Sequence, residues 1–171
     1  MALPGCKLTV LVEPPTAFVK ISGRAAAESA CEFKQVVLRS RDEGVTRHCL
    51  DLTGCLLMDS TFSGVLAGLA GGTDAEERRD RFTLVGANAR VLDLLDNLGV
   101  LPLVDVVTGD GHLVGKDDGI EVKLGAPSKG DTARCCLEAH RLLMQLKPEN
   151  EAKFRPVTEM LEQQMSTGAA L

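Results

Sequence analysis

The chain has 171 residues, a formal net charge of -5, 44% hydrophobic residues and 25% charged residues, the balance of a globular protein with room for one domain and an appendage. With 3% aromatic residues and neither Trp nor Tyr, it lacks the basic stripe of a general nucleic-acid binder and the stacking platforms for single strands. No run approaches the ~20 apolar residues of a membrane span.

The N-terminus "MALPGCKLTVLVEPP" does not have the form of a signal peptide. Six cysteines stand at 6, 31, 49, 55, 135 and 136, with no C-x-x-C and no zinc spacing. The expectation is a cytoplasmic protein with reduced, packed thiols, no metal, no cofactor, no membrane and no nucleic-acid partner.

"KLTVLVE" (7–13) is rich in aliphatic and β-branched residues and reads as a strand. Pro14-Pro15 turns the chain, and the alternation in "AFVKIS" (17–22) predicts a returning strand. A helix is expected over 25–41, with Ala26, Ala30, Phe33 and Val37 on one face and Gly44 after it. "HCLDL" (48–52) is a short strand, and "CLLM" carries the chain to Asp59. From Ser60 to about Ala70 the pattern is helical, with Phe62, Val65, Leu66 and Leu69 as its face. Gly64 and Gly68 weaken that helix, so their use is close approach to another backbone.

The charged run 74–81 reads as a solvated connection. "FTLVG" (82–86) is a strand. A helix follows at 88–100, with Asn88 as N-cap, Gly99 closing it, and Val91, Leu94, Leu95 and Leu98 facing inward. "LVDVV" (103–107) is the next strand. The fold class is therefore α/β, in the order β-β-α-β-α-β-α-β, with a mixed or mostly parallel sheet over residues 1–107. Residues 108–130 are Gly-rich and read as a linker, with a short strand at "IEVKL" (120–124). The extension 131–171 should hold two helices. The first starts at Asp131 as N-cap, with Cys135, Ala139, Leu142 and Leu146 as a stripe that Cys136 and Leu143 widen. The second follows Pro148 with Phe154, Val157 and Leu161 as its face, and Pro156 is expected to kink or restart it. Such short amphipathic helices must pack on the domain, on each other or on a second subunit.

The stretch "LLMDSTFSG" (56–64) concentrates the chemistry. Ser60 falls in the first turn of a helix, where unpaired backbone N–H groups favour an anion. A phosphate there is tolerated by the fold and changes the charge beside Asp59. Two plainer readings stand beside this one: Ser60 as the helix N-cap, and Asp59 as an Asx-turn residue. Thr61 and Ser63 read first as polar residues of a helix start. No G-x-S-x-G elbow is present. His48, His112 and His140 are scattered, without a recognisable partner. "GDGHLVG" (109–115) is one residue too long for a dinucleotide fingerprint. Cys135-Cys136 is a weak redox pair, because adjacent helical residues face different ways.

"CLDLTGCLLMDSTFSGVLAGLAG" (49–71) resembles the signature of the STAS domain family of anti-sigma factor antagonists. "FTLVGANARVLDLLDNLGV" (82–100) resembles that family's next strand and helix. The resemblance implies a STAS-like sheet with helices and a non-enzymatic regulator that switches partners. It implies that a serine kinase acting as anti-sigma factor binds the unphosphorylated form and modifies the serine after the aspartate, a serine phosphatase reversing this. That serine is Ser60, with Thr61 as second choice. Asp59, Ser60, Thr61, Phe62 and Ser63 form the implied partner-binding turn. Phe62 departs from the family pattern, which has a small residue there, so a partner would need room for a ring. The two C-terminal helices lie outside the minimal domain, and a homodimer through them is one reading of their stripes. The alternatives are a scaffold or oligomeric signalling component, and a ligand-binding transport accessory domain.

Overall fold

The computed structural model describes residues 4–71, 80–108, 119–123 and 125–168. The expected order is present, with one addition. Strands β1 (Lys7–Glu13) and β2 (Thr16–Ala25) form an antiparallel hairpin. Helix α1 (Ala27–Asp42) leads to β3 (Arg47–Asp51). "CLLM" is itself a strand, β4 (Cys55–Met58), pairing in parallel with the end of β2. Helix α2 (Ser60–Leu69) follows at once, then β5 (Arg81–Val85), α3 (Ala89–Asn97), a 3-10 turn at Leu101–Leu103 and β6 (Asp105–Val107). The short strand expected within 120–124 is β7 (Ile120–Glu121), which pairs antiparallel with β1. The sheet order is β6-β5-β3-β2-β1-β7, parallel from β2 through β3 and β5 to β6. The calls at 74–79, at 109–115 and on His112 lie outside the described residues.

The alternation in β2 buries Ala17, Val19, Ile21 and Ala25. Leu50 of β3 and Phe82 and Leu84 of β5 continue the core across the sheet. Asn88 caps α3, its Oδ1 accepting from the Val91 N–H at 2.9 Å, while its amide donates to the Cys55 carbonyl at 3.0 Å. One side chain thus fixes the helix start and its place beside β4.

The C-terminal part holds α4 (Lys129–Leu146) and α5 (Pro148–Thr167), which pack on each other as a hairpin. Two details differ from expectation. Helix α4 starts earlier, because Ser128 is the cap and accepts from the Asp131 N–H at 3.0 Å; Asp131 instead brings its charge to the first turn. Helix α5 runs unbroken through Pro156, which lies on an exposed side where water can satisfy the carbonyl that proline leaves without a donor. Helix α4 packs against α1 and α2. Its buried stripe is Cys135, Leu137, Ala139, His140 and Leu143, with Leu142 and Leu146 half-buried. Asn150 joins the hairpin to the domain: its buried amide donates to the Leu98 carbonyl at 2.9 Å and the Leu143 carbonyl at 2.7 Å.

Candidate functional site

The turn from β4 to α2 is held from both sides. The Asp59 N–H donates to the Ala25 carbonyl at 2.9 Å, which fixes the turn to the end of β2. Upstream, Asp51 is buried and its Oδ1 accepts from the Thr53 N–H at 3.0 Å and the Thr53 hydroxyl at 2.6 Å, an Asx turn that carries the chain from β3 to β4.

Asp59, not Ser60, is the N-cap. Its backbone is extended and its Oδ1 accepts from the Phe62 N–H at 2.8 Å. Ser60 is thereby the first helical residue, and its side chain is free for another partner. The Ser63 hydroxyl returns to the Asp59 carbonyl at 2.8 Å. Asp59 and Ser60 are half-buried, while Thr61 and Ser63 are buried. Phe62, expected beside a partner, is 0% exposed and stacks on Phe33 of α1 with ring centroids 5.0 Å apart. Its ring belongs to the core between α1 and α2.

Nothing in the local pattern names what covers the turn. The Ser60 Oγ lies 2.8 Å from His140 Nε2 on α4, and the Thr61 hydroxyl donates to the Cys136 sulfur at 3.3 Å. His140 Nδ1 is 2.7 Å from the Cys136 carbonyl. A carbonyl only accepts, so Nδ1 carries the proton and Nε2 accepts from the Ser60 hydroxyl. Burial lowers the His140 pKa against the opposing pull of the Cys136 carbonyl and Asp59, which keeps the ring neutral. The ring also packs on Phe154 of α5, centroids 4.8 Å apart.

Closer to the middle of α2, Gly64 meets α4 so tightly that a Cβ there would lie 2.5 Å from the Ala139 carbonyl oxygen. The expected close approach of this glycine to another backbone is therefore with α4. Gly68 is looser, with only the Leu142 Cδ2 in reach, at 3.2 Å from an added Cβ.

Of the histidines expected to be without partners, His48 and His140 each have one. His48 Nε2 is 2.8 Å from the Ser40 Oγ, and its Nδ1 is 3.8 Å from Asp80 Oδ2. Serine, histidine and aspartate are in triad order, but the proton positions are reversed. The Ser40 hydroxyl donates to the Val37 carbonyl at 2.7 Å, so Nε2 must donate to Ser40 instead of accepting from it. Ser40 is also buried. In the Ser60–His140 pair the order does suit proton removal from the serine. However, the Phe62 N–H is spent on the Asp59 carboxylate and the Ser63 N–H on the Asp59 carbonyl, so neither can stabilise an oxyanion.

A cleft of about 560 Å³ opens on the other side of Asp59, lined by Arg24, Glu28, Ser29, Glu32 and Thr132 among others. Burial and then the Glu28 charge raise the Glu32 pKa. Among the described residues no group of three or more His, Cys, Asp or Glu could hold a metal ion, and no helix is long and apolar enough to cross a membrane.

A parallel β3–β4 exit into a capped helix, with β1 and β2 paired at one side, is an arrangement with known relatives. A family model described as Mlab, STAS domain matches residues 12–105, more than half of the chain. The chain belongs to the STAS domain family. The STAS match ends well before α4, so the helical hairpin lies outside it. Among solved structures, the STAS fold here is similar to a "putative anti-sigma factor antagonist" from Thermotoga maritima, at 18% identity and a TM-score of 0.50, covering 62% of this chain and 90% of that one. The anti-sigma factor antagonist SpoIIAA in its unphosphorylated form matches at 17% identity and a TM-score of 0.49, covering 61% and 89%. RsbS of Moorella thermoacetica matches at 20% identity and 0.48, covering 60% and 87%. At these identities the likeness is one of fold. No curated protein matches the chain.

Proposed function

We propose that this STAS domain is a non-enzymatic regulator of the anti-sigma factor antagonist type, in which phosphate on Ser60 decides whether a partner protein binds. The observation that carries the reading is the position of Ser60. It is the first residue of α2, half-buried, directly after an aspartate that caps the helix and leaves the serine side chain uncommitted to its own backbone. A phosphate at a helix start meets the positive end of the helix dipole, while Asp59 makes the local charge strongly negative, so the modification changes the surface more than the fold. Thr61 is the second candidate, though it is buried. The partners are a serine kinase that doubles as an anti-sigma factor and a serine phosphatase, and the setting is bacterial and cytoplasmic.

The test is incubation with candidate serine kinases and ATP, followed by peptide mass spectrometry, with binding of the same kinases measured for the wild type and for Ser60→Asp. The expected result is one phosphate on the peptide carrying residues 60–61 and loss of binding in the variant. A persistently unmodified peptide, together with unaltered binding by Ser60→Asp, overturns the reading.

A further inference from the structure

Outside the region shared with its family, this chain carries a helical hairpin seated on the residues just named. Three contacts seat it on α2, all from one stretch of α4, and a fourth, inside the hairpin, backs one of them. The Ser60 hydroxyl donates to His140 Nε2 at 2.8 Å, and the Thr61 hydroxyl to Cys136 Sγ at 3.3 Å. Ala139 fills the notch at Gly64. Phe154 of α5 backs the His140 ring. Both ring nitrogens of His140 are thereby used, one by its own helix and one by Ser60.

We propose that the α4–α5 hairpin is an intramolecular cover for the Asp59–Ser63 turn and α2, with the Ser60–His140 hydrogen bond as its latch, and that a partner protein reaches this face only when the hairpin lifts. The closed state is the one described. In the open state α4 leaves α2, and the Ser60 and Thr61 hydroxyls and the small-residue notch at Gly64 become available together.

The chemistry of the latch states what opens it. Nε2 offers a lone pair and Ser60 supplies the proton between them. A carboxylate or phosphate oxygen in place of that hydroxyl has no proton to give, so it would face a lone pair in a buried, neutral site next to the Asp59 carboxylate. Protonating His140 could relieve this, but burial opposes that charge. An anion at position 60 therefore drives the hairpin off. This rests on the reading of Ser60 given above only for the identity of the natural trigger; the cover itself stands on the contacts.

Cysteines report the hairpin position without any kinase or partner. Cys135 is buried on α4 itself, which packs on α1 and α2, and Cys55 is buried in β4, which pairs with β2. Full-length wild type, Ser60→Glu and His140→Ala are pulse-labelled with iodoacetamide in native buffer, and each cysteine is followed by mass spectrometry. The expected result is at least a tenfold faster reaction of Cys135 in both variants, with Cys55 staying at the wild-type rate. Two outcomes overturn the proposal. In one, Cys135 stays at the wild-type rate in both variants, so the latch holds nothing. In the other, Cys135 and Cys55 accelerate together, so the hairpin is part of the global fold and not a cover. His140→Ala keeps the test valid if Ser60→Glu does not fold, because it removes the latch without adding a charge. Failure of the phosphorylation reading leaves these rates untouched, and failure here leaves kinase modification of Ser60 untouched.

Discussion

At the scale of single residues, the imidazoles carry what the sequence hid. His48 and His140 are polar groups set among apolar ones, and each hydrogen-bonds a serine hydroxyl eight or eighty positions away. Local pattern does not encode a pairing across that separation. The sequence reads Ser60 as the cap and Asp59 as a turn residue, yet Asp59 caps; both are good caps, and local pattern does not choose between them. Phe62 was legible as a member of the apolar face of α2, and that role is the one it fills, against Phe33. His48 makes a measurable prediction. Burial lowers its pKa to about 4, with Asp80 pulling the other way and Arg41 adding to the drop. An unfolded histidine takes its proton near pH ~6.5. Between those values the unfolded chain holds more protons than the folded one, so stability falls as pH drops from about 6.5 to about 4 and is flat above. The loss should be on the order of 3 kcal/mol. Urea unfolding followed by far-UV circular dichroism at pH 7.5, 5.5 and 4.5 measures it. His140 shifts in the same direction, so the wild type is compared with His48→Gln. The difference between the two should shrink as the pH falls, and a constant difference would contradict the assignment.

At the scale of elements, the strands and helices of residues 7–107 follow from periodicity and caps, since each buries a face that its own pattern marks. The misses have physical causes. "CLLM" is too short to show alternation, and it is a strand only because β2 extends far enough to pair with it. The start of α4 moved because Ser128 and Asp131 are both capping residues three apart, and the earlier one gives the longer helix. Gly64 and Gly68 were expected to serve close approach, and they separate in the structure by what stands opposite. At Gly64 the obstacle is the Ala139 backbone, which cannot move unless α4 moves; at Gly68 it is the end of the flexible Leu142 side chain. An alanine gains roughly 1 kcal/mol of helix propensity at either site. At Gly64 the overlap should outweigh that gain, so Gly64→Ala should lose about 1–2 kcal/mol, while Gly68→Ala should be neutral or stabilising. Denaturation midpoints of the two variants decide this, and equal effects at both sites would mean that the α2–α4 contact is softer than its geometry.

At the scale of the whole molecule, the sheet and the hairpin are held by different means. The central strands β2, β3 and β5 bury side chains such as Val19, Leu50 and Leu84 completely. The hairpin rests on an apolar strip along α2 and α1, on Asn150, and on groups at the surface: Lys147 donating to the Asn97 carbonyl at 3.1 Å, and Lys34 paired with Glu138. Exposed ion pairs contribute little, so most of its attachment is the strip and the buried amide. That two amphipathic helices needed a surface was legible in their stripes; that the surface is the first turn of α2 was not, because nothing in a stripe names its partner. A hairpin attached this way should open on its own more often than the sheet does. Native-state hydrogen exchange in low urea tests it. The amides of Val19, Leu50 and Leu84 should exchange only with global unfolding, with a steep dependence on urea. Those of Ala139, Leu143 and Leu161 should exchange through an opening that costs roughly 1–3 kcal/mol less and exposes less surface, so with a shallower slope. Gly64→Ala should lower the second set further and shift the first only by its global cost. If all six amides report one free energy and one slope, the hairpin and the sheet are a single cooperative unit, and α2 has no separate state in which its first turn is uncovered.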